Sequence, residues 1–529
     1  MRRRGNVLAS SVGKFGPGWR PRKFGQAFMI RTKIVATLGP ATADVTTLIG
    51  LFEAGVDVCR LNFSHGDLNQ ALVLLKTIQA AIEQFGRPIA VLGDLCGPKI
   101  RLGKVRDIDG SGGMPIDMGD TLVVQRTVIE GNMEGGVRRV SCTYPQLIDD
   151  VKVGDRLLVE DGSLRFVCIE QDADTLTCNC TTGGVLKSAK GINLPSTAVN
   201  LPSITEKDWE CIDWAIEHRL DYLALSFVRK AEDLLMLRDY LRDKVSDIHL
   251  IAKIEKAEAL QQIDAIIDAS DGLMVARGDL GVEMDVAQVP LIQKDLVRRC
   301  RVAGKPVIVA TQMLQSMIEQ ATPTRAEVSD VANAIFDGTD ALMLSGETSV
   351  GKFPHRAVHV MAHVAEVTEN YIAGAEDERT IEPRIKTNLA AGSLARGAMR
   401  IVRDLNVKLL VIWTQTGGTA RVFSKHHFPV PIIALSNDRR TLHRMALHYG
   451  VLPHHMPIVQ DIQQVMTATD QLIVERGLAQ NGDRVLIVAG WSPAMAGTMN
   501  GLVIHTVGTS WTAMPTGPIM RQMVSTERE

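Results

Sequence analysis

HLIAKIE, residues 249–255, is an apolar, β-branched run that ends on two charges, Lys253 and Glu255. A spacing of two puts both side chains on one face of a strand. Seven other runs share this make-up: KIVATLG (33–39), DVCRLNFS (57–64), IAVLGDL (89–95), YLALSFV (222–228), GLMVARG (272–278), PVIVATQ (306–312) and ALMLSGE (341–347). Helical patterns lie between them. Strands alternating with helices predict βα units and a parallel sheet. Eight such units predict a closed (β/α)8 barrel, with functional residues at the C-terminal strand ends.

The polar residues fall at those ends. The second run closes on Arg60, Asn62 and Ser64, and the third on Asp94. The fifth carries Lys253 and Glu255, and Asp279 follows the sixth. Thr311 ends the seventh, and Ser345 and Glu347 end the eighth. One convergent site is the reading. Glu255 and Asp279 form an oxygen-donor pair on adjacent strands, which suits Mg2+ or Mn2+ better than zinc. Lys253 and Arg60 add fixed positive charge, a clamp for phosphoryl oxygens and for a developing enolate. The Thr311 and Ser345 hydroxyls fit a proton relay through water.

The rest of the chain is organised around this barrel. Residues 29–102 and 191–365 are assigned to it. The stretch from Leu95 to Tyr222 is too long for one crossover. Residues 103–190 contain VGDRLLVEDGSLRFVCIE, which reads as short strands and tight turns, a small β domain able to act as a lid. Residues 366–508 read as an open α/β unit, with a helix over 388–405 and strands at KLLVIWT (408–414), PIIALS (431–436) and RVLIVAG (484–490). Residues 1–28 hold seven Lys or Arg and no acid, without an apolar h-region, and read as a disordered extension, with a transit peptide as the alternative. The tail, 509–529, has no pattern. Lys+Arg 58 against Asp+Glu 60 gives a net charge of −2, which argues against nucleic acid or an anionic membrane as partner. Eight scattered cysteines fit free thiols in a reducing cytoplasm.

Three further motifs need weighing. GETSVGK (346–352) fits a Walker-type pattern, but Phe353 stands where a Mg2+-holding Ser or Thr is required. His448, His454 and His455 lack partner cysteines and read as solvated loop histidines rather than a zinc site. QTGGTAR (415–421) follows a strand and opens a helix, so Thr414, Thr416, Gly417, Gly418 and Thr419 are assigned to a second, anion-binding site for a phosphorylated effector.

Taken together, KIVATLGPA, RLNFSHG, GDLCGPKIR, KGINLP, DYLALSF, IAKIE, MVARGDLG, ATQMLQSM, PTRAEVSDVANA and DGTDALMLSGET resemble the signatures of pyruvate kinases, in their order. The resemblance spans about 31–508. It implies a TIM barrel with an inserted small β-barrel lid and a C-terminal open α/β domain. It also implies phosphoryl transfer from phosphoenolpyruvate to ADP, a cytoplasmic location and a homotetramer. Carried over by motif, Arg60 and Lys253 hold the phosphoryl group, and Glu255 and Asp279 bind Mg2+. The Ala276, Arg277 and Gly278 backbone and Thr311 hold the substrate carboxylate, with Ser345 joining Thr311 in the relay. Asn62, His65, Arg101 and Lys190 line the nucleotide side. Asn62, Ser64, Asp94 and Leu95 resemble a K+ pocket. Here Lys99 stands where K+-requiring members tend to have Glu, so a tethered ammonium is expected to replace K+. Two departures are Val350, where a Lys is usual, and Ser492, where fructose-bisphosphate-activated members tend to carry Arg. Two other readings stay open. One is a Mg2+-dependent lyase-type barrel acting without nucleotide, against which the lid and Lys190 argue. The other is an inactive effector-sensing scaffold, against which the intact Arg60, Lys253, Glu255 and Asp279 argue.

Overall fold

The computed structural model describes residues 30–195, 197, 199, 201–374, 389–457, 462–489 and 501–509. The basic extension, Ser492 and the tail beyond 509 lie outside them.

Eight parallel strands close a barrel in chain order: β1 Lys33–Thr37, β2 Val56–Asn62, β3 Ala90–Asp94, β4 Tyr222–Leu225, β5 His249–Ile254, β6 Gly272–Ala276, β7 Val307–Ala310 and β8 Ala341–Leu344. Lys33 pairs with Ala341 to shut the ring. Each strand coincides, to within a few residues, with one of the eight expected runs. The alternation along them explains both barrel layers. Outward residues such as Ile34, Cys59, Leu250 and Leu273 pack on the helices. Inward residues such as Val35, Val58, Leu92, Ile251, Met274 and Met343 fill the interior. The inward parity, carried forward, gives Thr37 after Val35, Arg60 after Val58, Asp94 after Leu92 and Lys253 after Ile251. It also gives Ser345 after Met343. The same alternation that builds an apolar interior therefore ends as a polar layer at the mouth.

The inserted residues fold around a core of their own, which includes Leu122, Val140, Phe166 and Leu176. The expected small barrel is here a seven-stranded sheet. Its order is Ile192–Asn193, Arg156–Val159, Leu164–Gln171, Thr175–Thr182, Thr121–Gln125, Val137–Ser141 and Asn132–Glu134. A ribbon of Met114–Ile116 and Gly184–Leu186 adds its apolar residues to that core. Arg101 bridges to Gly191 where the two connections to the barrel run side by side.

The helix Pro354–Gly374 runs through the boundary expected at 365. Its buried stripe Val358, Met361 and Ala365 continues to Thr368 and Glu369. Glu369 accepts the Arg31 and Thr32 backbone N–H groups at 2.9 and 2.6 Å. Beyond it, β9 Leu410–Trp413, β10 Ile432–Ser436, β11 Val451–His455, β12 Arg484–Ala489 and β13 Gly501–Thr506 form an open sheet. Its order is β11-β10-β9-β12-β13. This unit caps the base of the barrel, where Ala446 and Leu447 join the inward-facing core.

The histidine reading needs correction here. His454 and His455 belong to β11, an edge strand, where Pro453 is tolerated because the edge leaves its missing donor unused. His448 is buried rather than solvated. No group of three or more His, Cys, Asp or Glu suited to a metal exists among the described residues. No helix among them is long and apolar enough to cross a membrane.

Candidate active site

The polar layer at the mouth is a linked set of charges. Asp94, at the end of β3, is 1 % exposed. It accepts from Arg60 Nε at 2.6 Å and from Lys253 Nζ at 3.0 Å. Burial pushes the Asp94 carboxyl up, but Arg60 and Lys253 together outweigh burial and hold it below the usual carboxylate range. Arg60 also donates to Thr37 Oγ1 at 2.8 Å, and that hydroxyl donates to the Leu344 carbonyl at 2.9 Å. Both cations are thus anchored by the barrel wall.

Lys253 Nζ lies 2.9 Å from Glu255 Oε1 and donates to Ser226 Oγ at 2.6 Å. Desolvation pulls this ammonium down, yet Asp94 and Glu255 hold it above the usual lysine range. Ser226 in turn donates to the Leu95 carbonyl at 2.7 Å. Sequence reading passed over Ser226, although its spacing of two from Ala224 on β4 put it on the inward face. Glu255 accepts the Phe227 N–H at 2.7 Å.

Asp279 stands in the helix Arg277–Glu283, just past β6. Among the described residues no hydrogen bond or ion pair ends on its carboxylate. Burial and the charge of Glu255 push it up to about 6, opposed by Lys253 and Lys99. A half-buried carboxylate without a hydrogen-bond or ion-pair partner among the described residues, pushed up by a second carboxylate despite two ammonium groups, is short of neutralising charge. An all-oxygen pair in that condition suits a hard divalent cation.

At β7 the backbone is strained. Thr311 has φ +68° and Gln312 φ +57°. For a β-branched residue this conformation costs about 1–3 kcal/mol, the kind of strain found at functional sites. Thr311 Oγ1 accepts the Gly278 N–H at 2.7 Å and donates to the Ala310 carbonyl at 2.6 Å. Arg277 holds the turn from below: its guanidinium pairs with Asp330 at 2.7 Å and donates to the Thr311 carbonyl at 3.0 Å. Ala276 ends β6 and precedes that helix. Ser345 Oγ is buried and has no hydrogen-bond partner among the described residues. Glu347 is structural, accepting the Ser345 and Leu314 N–H groups at 2.7 and 3.0 Å.

The other expected residues surround this set. Asn62 Oδ1 accepts the Ser64 N–H at 3.1 Å, and His65 is exposed beside them. Leu95 turns its side chain into the core. Arg101 donates to the Ala189 carbonyl at 3.0 Å, and Lys190 pairs with Glu160 at 2.6 Å. The Lys99 stem lies over Gly191, where a methyl group would come within 2.9 Å of Lys99 Cε. Lys99 makes no ion pair within 4.0 Å among the described residues, and its charge acts on Asp279. Lys352 pairs with Glu319 at 2.5 Å. In the C-terminal unit Thr414 Oγ1 accepts the Gly417 N–H at 3.0 Å, and Gly417 has φ +79° against Met445. Gly418 and Thr419 open the helix Gly418–Ser424, with Thr416 exposed before it.

Known proteins resemble this chain over most of its length. Residues 29–358 match the family description "Pyruvate kinase, barrel domain", and residues 392–505 match "Pyruvate kinase, alpha/beta domain". A pyruvate kinase of Geobacillus stearothermophilus is 42% identical over 483 residues, covering 90% of this chain and 80% of that one. One from Mycobacterium tuberculosis is 42% identical over 479 residues, covering 90% and 98%. The crystal structure of a Cryptosporidium parvum pyruvate kinase superimposes with a TM-score of 0.82 at 34% identity, covering 90% of this chain and 96% of that one. Matched in order through both halves, this chain belongs to the pyruvate kinase family of phosphotransferases.

Proposed function

We propose that the chain transfers the phosphoryl group of phosphoenolpyruvate to ADP, giving pyruvate and ATP, with Mg2+ or Mn2+ held by Glu255 and Asp279. The observation that carries this reading is the Lys253 ammonium, fixed between Asp94 and Glu255 next to an Asp279 without a partner. A bound divalent ion would supply charge neutralisation at phosphoryl and enolate oxygens. Arg60 and Lys253 hold the phosphoryl oxygens. As an ADP oxygen attacks phosphorus and the bridging P–O bond breaks, negative charge grows on the enolate oxygen, and Lys253 faces it. The proton that completes pyruvate goes to the enolate carbon through water ordered by Thr311 and Ser345. The unpartnered Ser345 hydroxyl has free capacity for such a water. The backbone of Ala276, Arg277 and Gly278 receives the substrate carboxylate with Thr311. For that, the Gly278 N–H exchanges its bond to Thr311 for one to substrate. Asn62, His65, Arg101 and Lys190 take the nucleotide.

A coupled assay of pyruvate formation tests this. Release should require ADP. ADP-independent release would support the lyase reading, and no release with any divalent ion the scaffold reading. The same assay across sugar phosphates and AMP tests the effector assigned to residues 414–419. A homotetramer is part of the proposal, because Phe336, Val367, Tyr371 and Ile372 expose apolar surface along two neighbouring helices. A cytoplasmic location fits the free cysteines.

Glu255→Gln and Asp279→Asn each remove one anionic oxygen from the hard-cation pair. Each is expected to raise the Mg2+ activation constant by about tenfold, or about 1.4 kcal/mol. Unchanged titration curves for both would put the metal elsewhere.

The proposal also includes independence from K+. Lys99 brings a tethered positive charge to the mouth, and that charge already acts on Asp279. Activity in K+-free buffer, with a bulky organic cation holding ionic strength constant, should equal activity in K+. Lys99→Glu should lower it and create a K+ response. A wild-type rate that collapses without K+ would rule out Lys99 as the substitute.

A further inference from the structure

Glu283 is the last residue of the helix that carries Asp279, and the two are four positions apart, on one helical face. Its side chain is 3 % exposed. Its Oε1 pairs with Lys256 Nζ at 2.6 Å and accepts from Asn193 Nδ2 at 3.2 Å. Lys256 directly follows Glu255. Asn193 lies in the strand Ile192–Asn193, the returning connection of the inserted domain. One buried carboxylate therefore touches the element bearing Asp279, the residue next to Glu255 and the hinge of the inserted domain. That domain meets the same end of the helix a second time, where a methyl at Gly162 would lie 3.7 Å from Val282 Cγ1, next to Glu283.

We propose that Glu283 is a positioning residue: through Lys256 it sets the spacing of Glu255 and Asp279, and through Asn193 it ties that spacing to the hinge. This rests on the reading of Glu255 and Asp279 as the metal pair. The two carboxylates repel each other when no cation lies between them. Glu255 is held from its other side by Phe227 and Lys253, while Asp279 has no tether of its own among the described residues. The Glu283–Lys256 pair supplies that tether one helical turn away. Groups that orient metal ligands without touching the metal typically govern 10- to 100-fold in metal affinity. Because binding couplings are reciprocal, a metal that fixes the helix also fixes the hinge, and a fixed hinge favours the metal.

The test uses the full chain and Mn2+ alone, with free Mn2+ followed by electron paramagnetic resonance and no turnover required. Asp279→Asn is the control for the metal pair. Glu283→Gln keeps the acceptor for Asn193 and removes the charge facing Lys256. It is expected to weaken Mn2+ binding about 10- to 100-fold, while kcat at saturating Mn2+ returns to within about threefold of wild type. Should Glu283→Gln fail to fold, Lys256→Met/Glu283→Met removes both charges together and carries the same expectation. Asn193→Ala is expected to weaken Mn2+ binding by about two- to threefold, less than Glu283→Gln, and to lose the Mn2+-dependent slowing of amide exchange over residues 191–194 expected of wild type. Weakened binding in Asp279→Asn with wild-type binding in a folded Glu283 variant would overturn the inference and leave the metal pair standing. Wild-type binding in Asp279→Asn would overturn both. Hinge protection by Mn2+ that persists in Asn193→Ala would overturn the hinge arm.

Discussion

Lys253→Met is expected to lower kcat by at least about 10²-fold while far-UV circular dichroism stays at wild type, the loss typical of removing one preorganised charge from a reacting site. Three contacts fix this ammonium: Asp94 at 3.0 Å, Glu255 at 2.9 Å and Ser226 at 2.6 Å. A methionine of similar length fills the space but neutralises neither carboxylate. Asp94 keeps Arg60 at 2.6 Å, so the barrel wall retains an ion pair and the fold survives. Glu255 keeps only the Phe227 N–H among the contacts described. The effect should therefore appear as a fall in kcat and in kcat/KM together, the pattern of an interaction made in the transition state. Turnover within a few-fold of wild type would remove Lys253 from the chemistry.

Lys425→Met should have the largest effect on stability. Lys425 and Asp340 form an ion pair in which both side chains are 0% exposed. Asp340 precedes β8 at the barrel base and also accepts the Val307 and Tyr449 N–H groups, at 3.0 and 3.3 Å. Lys425 belongs to the C-terminal unit, so this pair fastens that unit to the barrel. Burial pulls the ammonium below the usual lysine range, and Asp340 opposes it. Removing one partner leaves a buried, uncompensated charge, which costs about 3–5 kcal/mol, whereas removing both is often close to neutral. Chemical denaturation should show that loss for Lys425→Met, and most of it should return in Lys425→Met/Asp340→Asn. A single variant within about 0.5 kcal/mol of wild type, the range of ordinary surface substitutions, would mean that the pair is not sealed from water.

The sequence by itself determined the barrel and most of its mouth. A period of two is a local property, so the eight apolar runs carry the fold, and the inward parity at the ends of the second, third, fifth and eighth carries the direction of Arg60, Asp94, Lys253, Glu255 and Ser345. The QTGGTAR turn was legible for the same reason, since Gly417 at φ +79° answers a local requirement. What joins distant segments was not legible. Glu283 meets Asn193 across 90 positions and Lys425 meets Asp340 across 85, and no periodicity encodes such pairings. Ala446 and Leu447 plug the barrel although they belong to another unit, and His448 is buried beside them because the base of the barrel needs a cover. The strained Thr311 turn is likewise decided by tertiary contacts, because Arg277 and Gly278 hold a conformation that a threonine would not adopt alone. Local alternation chose which side chains face inward. Only the closed barrel, its inserted domain and its cap decided which of them meet.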